Sequence, residues 1–122
     1  MDIIRYWEVT LKQDEKKMKE YFDDNAYIRW HNTNEHFTVD EFIQANCEYP
    51  NQWDGEIERI ETIDDLIITV VHVFTIDNSL SFHVTSFIKL KENKIISIDE
   101  YWGDDGTPPK WRVEKRIGQK IK

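Results

Sequence analysis

An α+β fold, with helices first and a run of long strands after them, is predicted by three features of this 122-residue chain. Apolar residues recur at helical spacing up to Cys47, and from Trp53 onward the period switches to strand alternation. The strand segments are separated by the short polar pairs Asp64-Asp65, Asp77-Asn78 and Glu92-Asn93, each suited to a tight hairpin. No repeat or low-complexity linker interrupts the chain, so residues 1–122 are expected to form one domain, an antiparallel sheet with helices on one face.

Each element has a local cause. Asp2 caps a helix with Ile4, Trp7 and Leu11 on one face, and Asp14 caps a segment with Met18, Tyr21 and Phe22 at helical spacing; these form either one bent helix or two. Ala26 to His31 predicts a short strand and Asn32 to Glu35 a turn. Thr38 followed by Glu41 is a capping box, with Phe37 placed to staple onto Phe42, so a helix begins there and ends at Tyr49-Pro50. Four strands follow: Trp53 to Ile63, Leu66 to Ile76, Leu80 to Leu90 and Lys94 to Trp102. In the closing stretch "EYWGDDGTPPKWR", the Gly-Asp-Asp-Gly turns the chain outward, Pro108-Pro109 stiffens it, and Trp111 is expected to anchor its return.

Composition narrows the function. A net charge of -8 and a pI near 4.9 repel phosphate backbones, so no nucleic-acid partner is expected. The basic tail, from Lys110 to Lys122, is instead suited to pairing with the acidic body or a partner subunit. The longest uncharged apolar run, Leu66 to Ile76, is about half of what a membrane-spanning helix needs, so no membrane association is expected. The single cysteine, Cys47, and the absence of a visible export signal in MDIIRYWE fit a cytoplasmic location.

Two-residue turns fix the strand register by arithmetic, because each further pair keeps the same sum of residue numbers. That arithmetic sets His72 opposite His83, Thr85 opposite Glu100, and His83 opposite Trp102. One face then collects Ile57, Arg59, Val70, His72, Phe74, His83, Thr85, Phe87, Ile98, Glu100 and Trp102, a mixture of ionisable and large apolar groups suited to a ligand pocket. The other, with Ile67, Val71, Val84, Ile88 and Tyr101 among its residues, is too apolar to face water and is expected to form a homodimer interface.

On the segments "YIRWHNTNEHFTVDEFI", "EYPNQWDGEIERI", "SFHVTSFIKL" and "EYWGDDGTPPKWR", the chain resembles the nuclear transport factor 2-like superfamily, in its SnoaL-like branch of small bacterial proteins. The resemblance implies a cone-shaped, cystatin-like α+β barrel whose strongly curved sheet wraps a pocket closed by the N-terminal helices, dimerised through the outer sheet face. It leaves activity open, since the superfamily includes isomerases, polyketide cyclases, epoxide hydrolases and non-enzymatic modules. In ketosteroid-isomerase relatives a carboxylate just after the first strand moves the proton; here His31, in "RWHN", takes that approximate place.

The candidate catalytic groups are therefore His31, His83 and Glu100. Against these stand plainer roles: His31 bonded to loop backbone, and Glu100 neutralised by Arg59 in a structural ion pair. Trp30, Trp53, Arg59, His72, Phe74, Thr85, Phe87 and Trp102 are the candidate ligand-binding residues, although core packing explains the aromatics as well. His72 and His83, with Glu100 as third ligand, are the only start of a metal set; nothing else has ligand spacing, and neither metal nor cofactor is expected. The expected function is binding of a small apolar molecule, with cofactor-free isomerase-, cyclase- or hydrolase-type chemistry. The alternative is a non-catalytic ligand-binding or dimerisation module.

Overall fold

Asp2 accepts a hydrogen bond from the Arg5 backbone N–H at 3.0 Å and so starts α1 (Ile3–Leu11) in the computed structural model, which describes residues 1–122. Gln13, at φ 57°, breaks the chain, and Asp14 caps a separate short helix, α2 (Glu15–Lys19). There are two helices, and α1 buries Tyr6, Trp7, Val9 and Thr10, leaving Ile4 55% exposed. Phe22 does not extend α2; it opens β1 (Phe22–Trp30).

A strand that hydrophobic periodicity did not reveal, β2 (Glu35–Thr38), pairs with β1 before the predicted capping box starts α3 (Val39–Cys47). Both halves of that box are made: Thr38 Oγ1 accepts from the Glu41 N–H, and the Glu41 carboxylate accepts from the Thr38 N–H. The long strands are β3 (Trp53–Ile63), β4 (Leu66–Thr75), β5 (Ser81–Lys91) and β6 (Lys94–Asp104). Glu92 and Asn93, both at positive φ, form the tight turn between the last two. A further short helix, α4 (Lys110–Glu114), follows Pro109; Trp111 lies on it 55% exposed, so it anchors nothing within the chain.

All six strands join one curved sheet in the order β2-β1-β6-β5-β4-β3, with open edges at β2 and β3, so it is a cone rather than a closed barrel. The sheet is mixed rather than antiparallel, because β1 runs parallel to β6, with Ile28 paired to Ile98 and Trp30 to Glu100. Hairpin arithmetic has no access to that pairing, since the two strands are separated by most of the chain.

Two bulges exchange the faces that uniform register predicts. Between β4 and β5 the arithmetic holds: His72 pairs with His83 and Val70 with Thr85. Between β5 and β6 the pairing steps by one residue after Leu90↔Ile95, so Glu100 lies opposite Ser86 rather than Thr85, and His83 opposite Gly103 rather than Trp102. A second irregularity between Ile57 and Arg59 places Ile57 opposite Val71 and Glu56 opposite His72.

Glu100, Trp102 and Ile98 therefore join the face of Val71, Val73, Val84 and Ile88, and the N-terminal helices cover this face. The apolar face expected to seek a second copy is thus largely the chain's own core. Tyr6, Trp7 and Val9 of α1 and Phe42 and Ile43 of α3 share one buried cluster with Ile28, Val71, Val84, Ile88 and Ile98. Gly55 lets Leu11 of α1 pack against β3: a Cβ there would sit 2.8 Å from the His72 carbonyl oxygen and 3.0 Å from Leu11 Cδ1.

Candidate functional site

The covered face holds a partly open cavity of about 490 Å³, within the range of small-molecule sites. Trp7, Thr10 and Leu11 of α1, Phe42 and Asn46 of α3, and Trp30, Trp53, Val73, Phe82, Glu100 and Trp102 of the sheet line it. The helical wall is tied by polar bonds. Gln13 Nε2 donates to the carbonyls of Asn46 and Tyr49 at 2.8 and 2.9 Å, and Asn46 Nδ2 donates to the Thr10 carbonyl at 2.9 Å. These bonds hold the end of α3 against the turn after α1.

An aromatic chain runs along the sheet wall: Trp30 meets Phe42 and Trp102 at centroid separations of 6.1 and 6.2 Å, and Phe82 meets both Trp102 and Trp53 at 6.0 Å. Three of these contacts are edge-on and the Phe82–Trp53 contact is tilted, geometries that aromatic pairs favour over a face-to-face sandwich. Trp7 closes the opposite side and is held by its indole N–H, which donates to Thr69 Oγ1 at 3.2 Å.

Glu100 is the one ionisable group buried in this wall, 2% exposed. Trp30 Nε1 donates to its Oε1 at 3.0 Å and Ser86 Oγ donates to its Oε2 at 2.5 Å. Burial raises the carboxyl above its usual range; the bonds from Ser86 and Trp30 oppose the shift without cancelling it. Trp102 Nε1 lies close enough to favour the anion as well, yet it closes no hydrogen bond with the carboxyl and is a buried donor without a partner. No cation neutralises Glu100. Arg59, the partner weighed from sequence, points to the other face and pairs with Glu61 at 2.9 Å.

The predicted site residues therefore divide between the two faces. Trp30, Trp53, Glu100 and Trp102 line the cavity. His31, Arg59, His72, Phe74, His83, Thr85 and Phe87 do not; they lie on or beside the outer face, the β3–β5 residues because the β5–β6 bulge separates them from Glu100 and His31 because it follows Trp30, which pairs with Glu100, by one residue. His31 donates its backbone N–H to the Glu100 carbonyl at 3.1 Å, but its ring stacks on Tyr101 at 4.4 Å and its Nε2 meets Asp99 Oδ1 at 2.8 Å. It is not in the position of a base for this cavity. His83 is likewise engaged elsewhere, with Nδ1 bonded to Asp105 and Nε2 at 3.3 Å from Glu58. Sequence reasoning missed Trp7, Ser86 and Asn46. The helical spacing marked Trp7 as apolar but not as cavity wall, and only the bulge brings Ser86 to Glu100.

The architecture is that of the nuclear transport factor 2-like fold. An NTF2-like protein of unknown function from Burkholderia xenovorans superposes with a TM-score of 0.77 at 19% identity, over 96% of this chain and 90% of that one. A candidate ketosteroid isomerase from Kribbella flavida superposes with a TM-score of 0.78 at 14% identity, over 96% and 84%. A candidate SnoaL-like polyketide cyclase from Shewanella putrefaciens gives 0.68 at 11% identity, over 82% and 76%. No protein-family model and no curated protein matches the sequence. At such identities the likeness defines the fold and leaves the chemistry to this chain's own residues.

Proposed function

We propose that the chain binds a small, mainly apolar molecule carrying one oxygen acceptor, and that Glu100 serves as its proton donor. The observation that carries this reading is the juxtaposition, in one aromatic cavity, of a buried carboxyl held towards its neutral form and an indole N–H without a partner. On this reading a ligand oxygen accepts the Glu100 proton, and the Trp102 indole N–H beside it gains the partner it lacks. A neutral carboxylic acid in an apolar site is suited to stabilising an enolate-like oxygen, so enolisable carbonyl compounds are the substrate class. The names of the Kribbella and Shewanella proteins, a candidate ketosteroid isomerase and a candidate SnoaL-like polyketide cyclase, agree with that class.

A second reading, binding without turnover, is favoured by one detail: both Glu100 oxygens already have donors, from Trp30 and Ser86. The two share a test of the cavity. Native mass spectrometry of the purified chain should reveal a bound small molecule, and 8-anilinonaphthalene-1-sulfonate should quench the tryptophan emission saturably. Trp102→Ala should weaken that binding by about tenfold, or 1.4 kcal/mol. Absence of saturable binding to the folded chain rejects the cavity as a ligand site under either reading.

The proposal extends to a homodimer, now through the face that the helices leave uncovered. Val70, Phe74, Thr85 and Phe87 are only half-buried there and Tyr101 is 48% exposed, an unusual row for water to meet. Sedimentation at micromolar concentration should give twice the chain mass, and Tyr101→Lys should return it to one. A monomer for the unaltered chain rejects this interface. No helix is long and apolar enough to cross a membrane; a cytoplasmic setting, proposed here, agrees with the lone free thiol of Cys47.

A further inference from the structure

We propose that Glu58, His72 and His83 form a site for a divalent transition-metal cation of the zinc type, on the outer face and separate from the cavity. One ring nitrogen of each histidine and one Glu58 oxygen all lie within 4.8 Å of one another. Metal bonds of about 2.0–2.2 Å require donors somewhat closer than that, a change within reach of side-chain rotation. His83 Nε2 is already 3.3 Å from the Glu58 carboxylate.

Three features build the site. His72 and His83 are register partners on β4 and β5, which places their rings side by side at 4.7 Å with 7° between planes; ligation turns the rings out of this stack so that their in-plane lone pairs converge on the ion. Glu58 occupies the irregularity in β3, unpaired between Ile57 and Arg59, where a bulge re-aims a side chain towards its neighbours. Behind the rings stands Asp105, just past β6. It engages His83 Nδ1, accepts from Ser81 Oγ at 2.5 Å, and lies 3.5 Å from His72 Nε2. A carboxylate on the far nitrogen of a ligating histidine sets the tautomer and leaves the other nitrogen for metal.

The donor set selects the class of ion. Two imidazoles and one carboxylate suit zinc, nickel, copper or cobalt, whereas magnesium and calcium prefer oxygen shells. Three protein donors leave a fourth position open, for water in the single chain or for a group of the second copy where the proposed dimer covers this face. Lys122 Nζ now sits 3.3 Å from Glu58 with its side chain 74% exposed, and a bound cation displaces it. The two histidines stood out in the sequence as the start of a metal set, but the third ligand sought there, Glu100, is on the other face. Glu58 takes its place.

Titrating Zn²⁺ calorimetrically into the full chain after chelator dialysis should show one ion per chain. Co²⁺ in its place should give the visible absorption of a low-symmetry, nitrogen-ligated site. His72→Ala, His83→Ala and the shape-conserving Glu58→Gln should each weaken Zn²⁺ binding by about a hundredfold or more. Asp105→Asn should weaken it by about 10- to 100-fold, and Lys122→Ala should strengthen it. His31→Ala, on a different part of the outer face, should leave it unchanged. Affinity unaltered in His72→Ala and His83→Ala, or no binding by a chain that still unfolds cooperatively, overturns the site.

Discussion

Replacing Glu100 with glutamine is expected to stabilise the fold increasingly as pH rises, while lowering turnover of an enolisable substrate by about a hundredfold or more. Glutamine preserves the shape and both bonds, since its oxygen accepts from Trp30 Nε1 and its amide donates to Ser86 Oγ. What changes is the proton. Burial raises the folded carboxyl above the ordinary value of 4.5, so below that value the group is neutral in both folded and unfolded chains. Above it, the unfolded chain ionises first and unfolding releases a proton. The native protein therefore loses stability through this group as pH rises towards the folded-state pKa, by about 1.4 kcal/mol per pH unit at most.

Glu100→Gln lacks that slope. Its advantage in urea midpoint should be absent near pH 4 and widen above the usual carboxyl range, until the native carboxyl itself ionises. A constant difference across that window contradicts a neutral buried acid. Loss of turnover with an unchanged KM identifies Glu100 as a transition-state group, whereas unaltered turnover leaves the carboxyl to orient ligand only.

Trp7→Ala should cost about 3–5 kcal/mol, a large share of the roughly 5–15 kcal/mol that holds such a domain together. Trp7 is 3% exposed and belongs to the core cluster, packs edge-on against Tyr6 at 5.8 Å, and satisfies the buried Thr69 hydroxyl. Its removal opens the cavity wall and leaves that hydroxyl without its indole donor, in a strand whose Val71 and Val73 sit beneath the helices. Thermal unfolding should drop by roughly 10 °C or more. Trp7→Phe retains much of the packing and should recover over half the loss; equal damage from both would place the effect in the indole N–H bond rather than in packing.

Much of the fold was legible because its causes are local. Asp2, Asp14 and the Thr38–Glu41 box cap helices with their own side chains, and the His72–His83 pairing follows from the hairpin between them. β2 escaped because four residues, Glu35-His36-Phe37-Thr38, are too few for alternation to register, and they owe their conformation to pairing with β1. α4 escaped for a related reason, since its five residues have no capping side chain and bury nothing.

The candidate site was half legible. Glu100, Trp30, Trp53 and Trp102 were assigned to a pocket and line a cavity, whereas His31, His72 and His83 were assigned to the same pocket and lie across the sheet from it. A single-residue step decides this. Side chains alternate with a period of two, so a bulge between Lys89 and Leu90 moves every later β6 residue to the opposite face relative to β5. Local sequence carries no signal for that extra residue, which lies on a strand paired on one side with β5 and on the other with the parallel β1.

By itself, then, the sequence determined the caps of the first three helices, the order of those helices and the four long strands, which of these strands neighbour one another across their turns, and the presence of an acid among tryptophans. These depend on contacts between residues close along the chain. The tertiary structure alone decided which face holds the cavity, that Ser86 and Trp30 rather than Arg59 meet Glu100, and that Glu58 meets His72 and His83. Those contacts join residues on different strands, and their geometry depends on bulges and on a parallel pairing that no local propensity encodes.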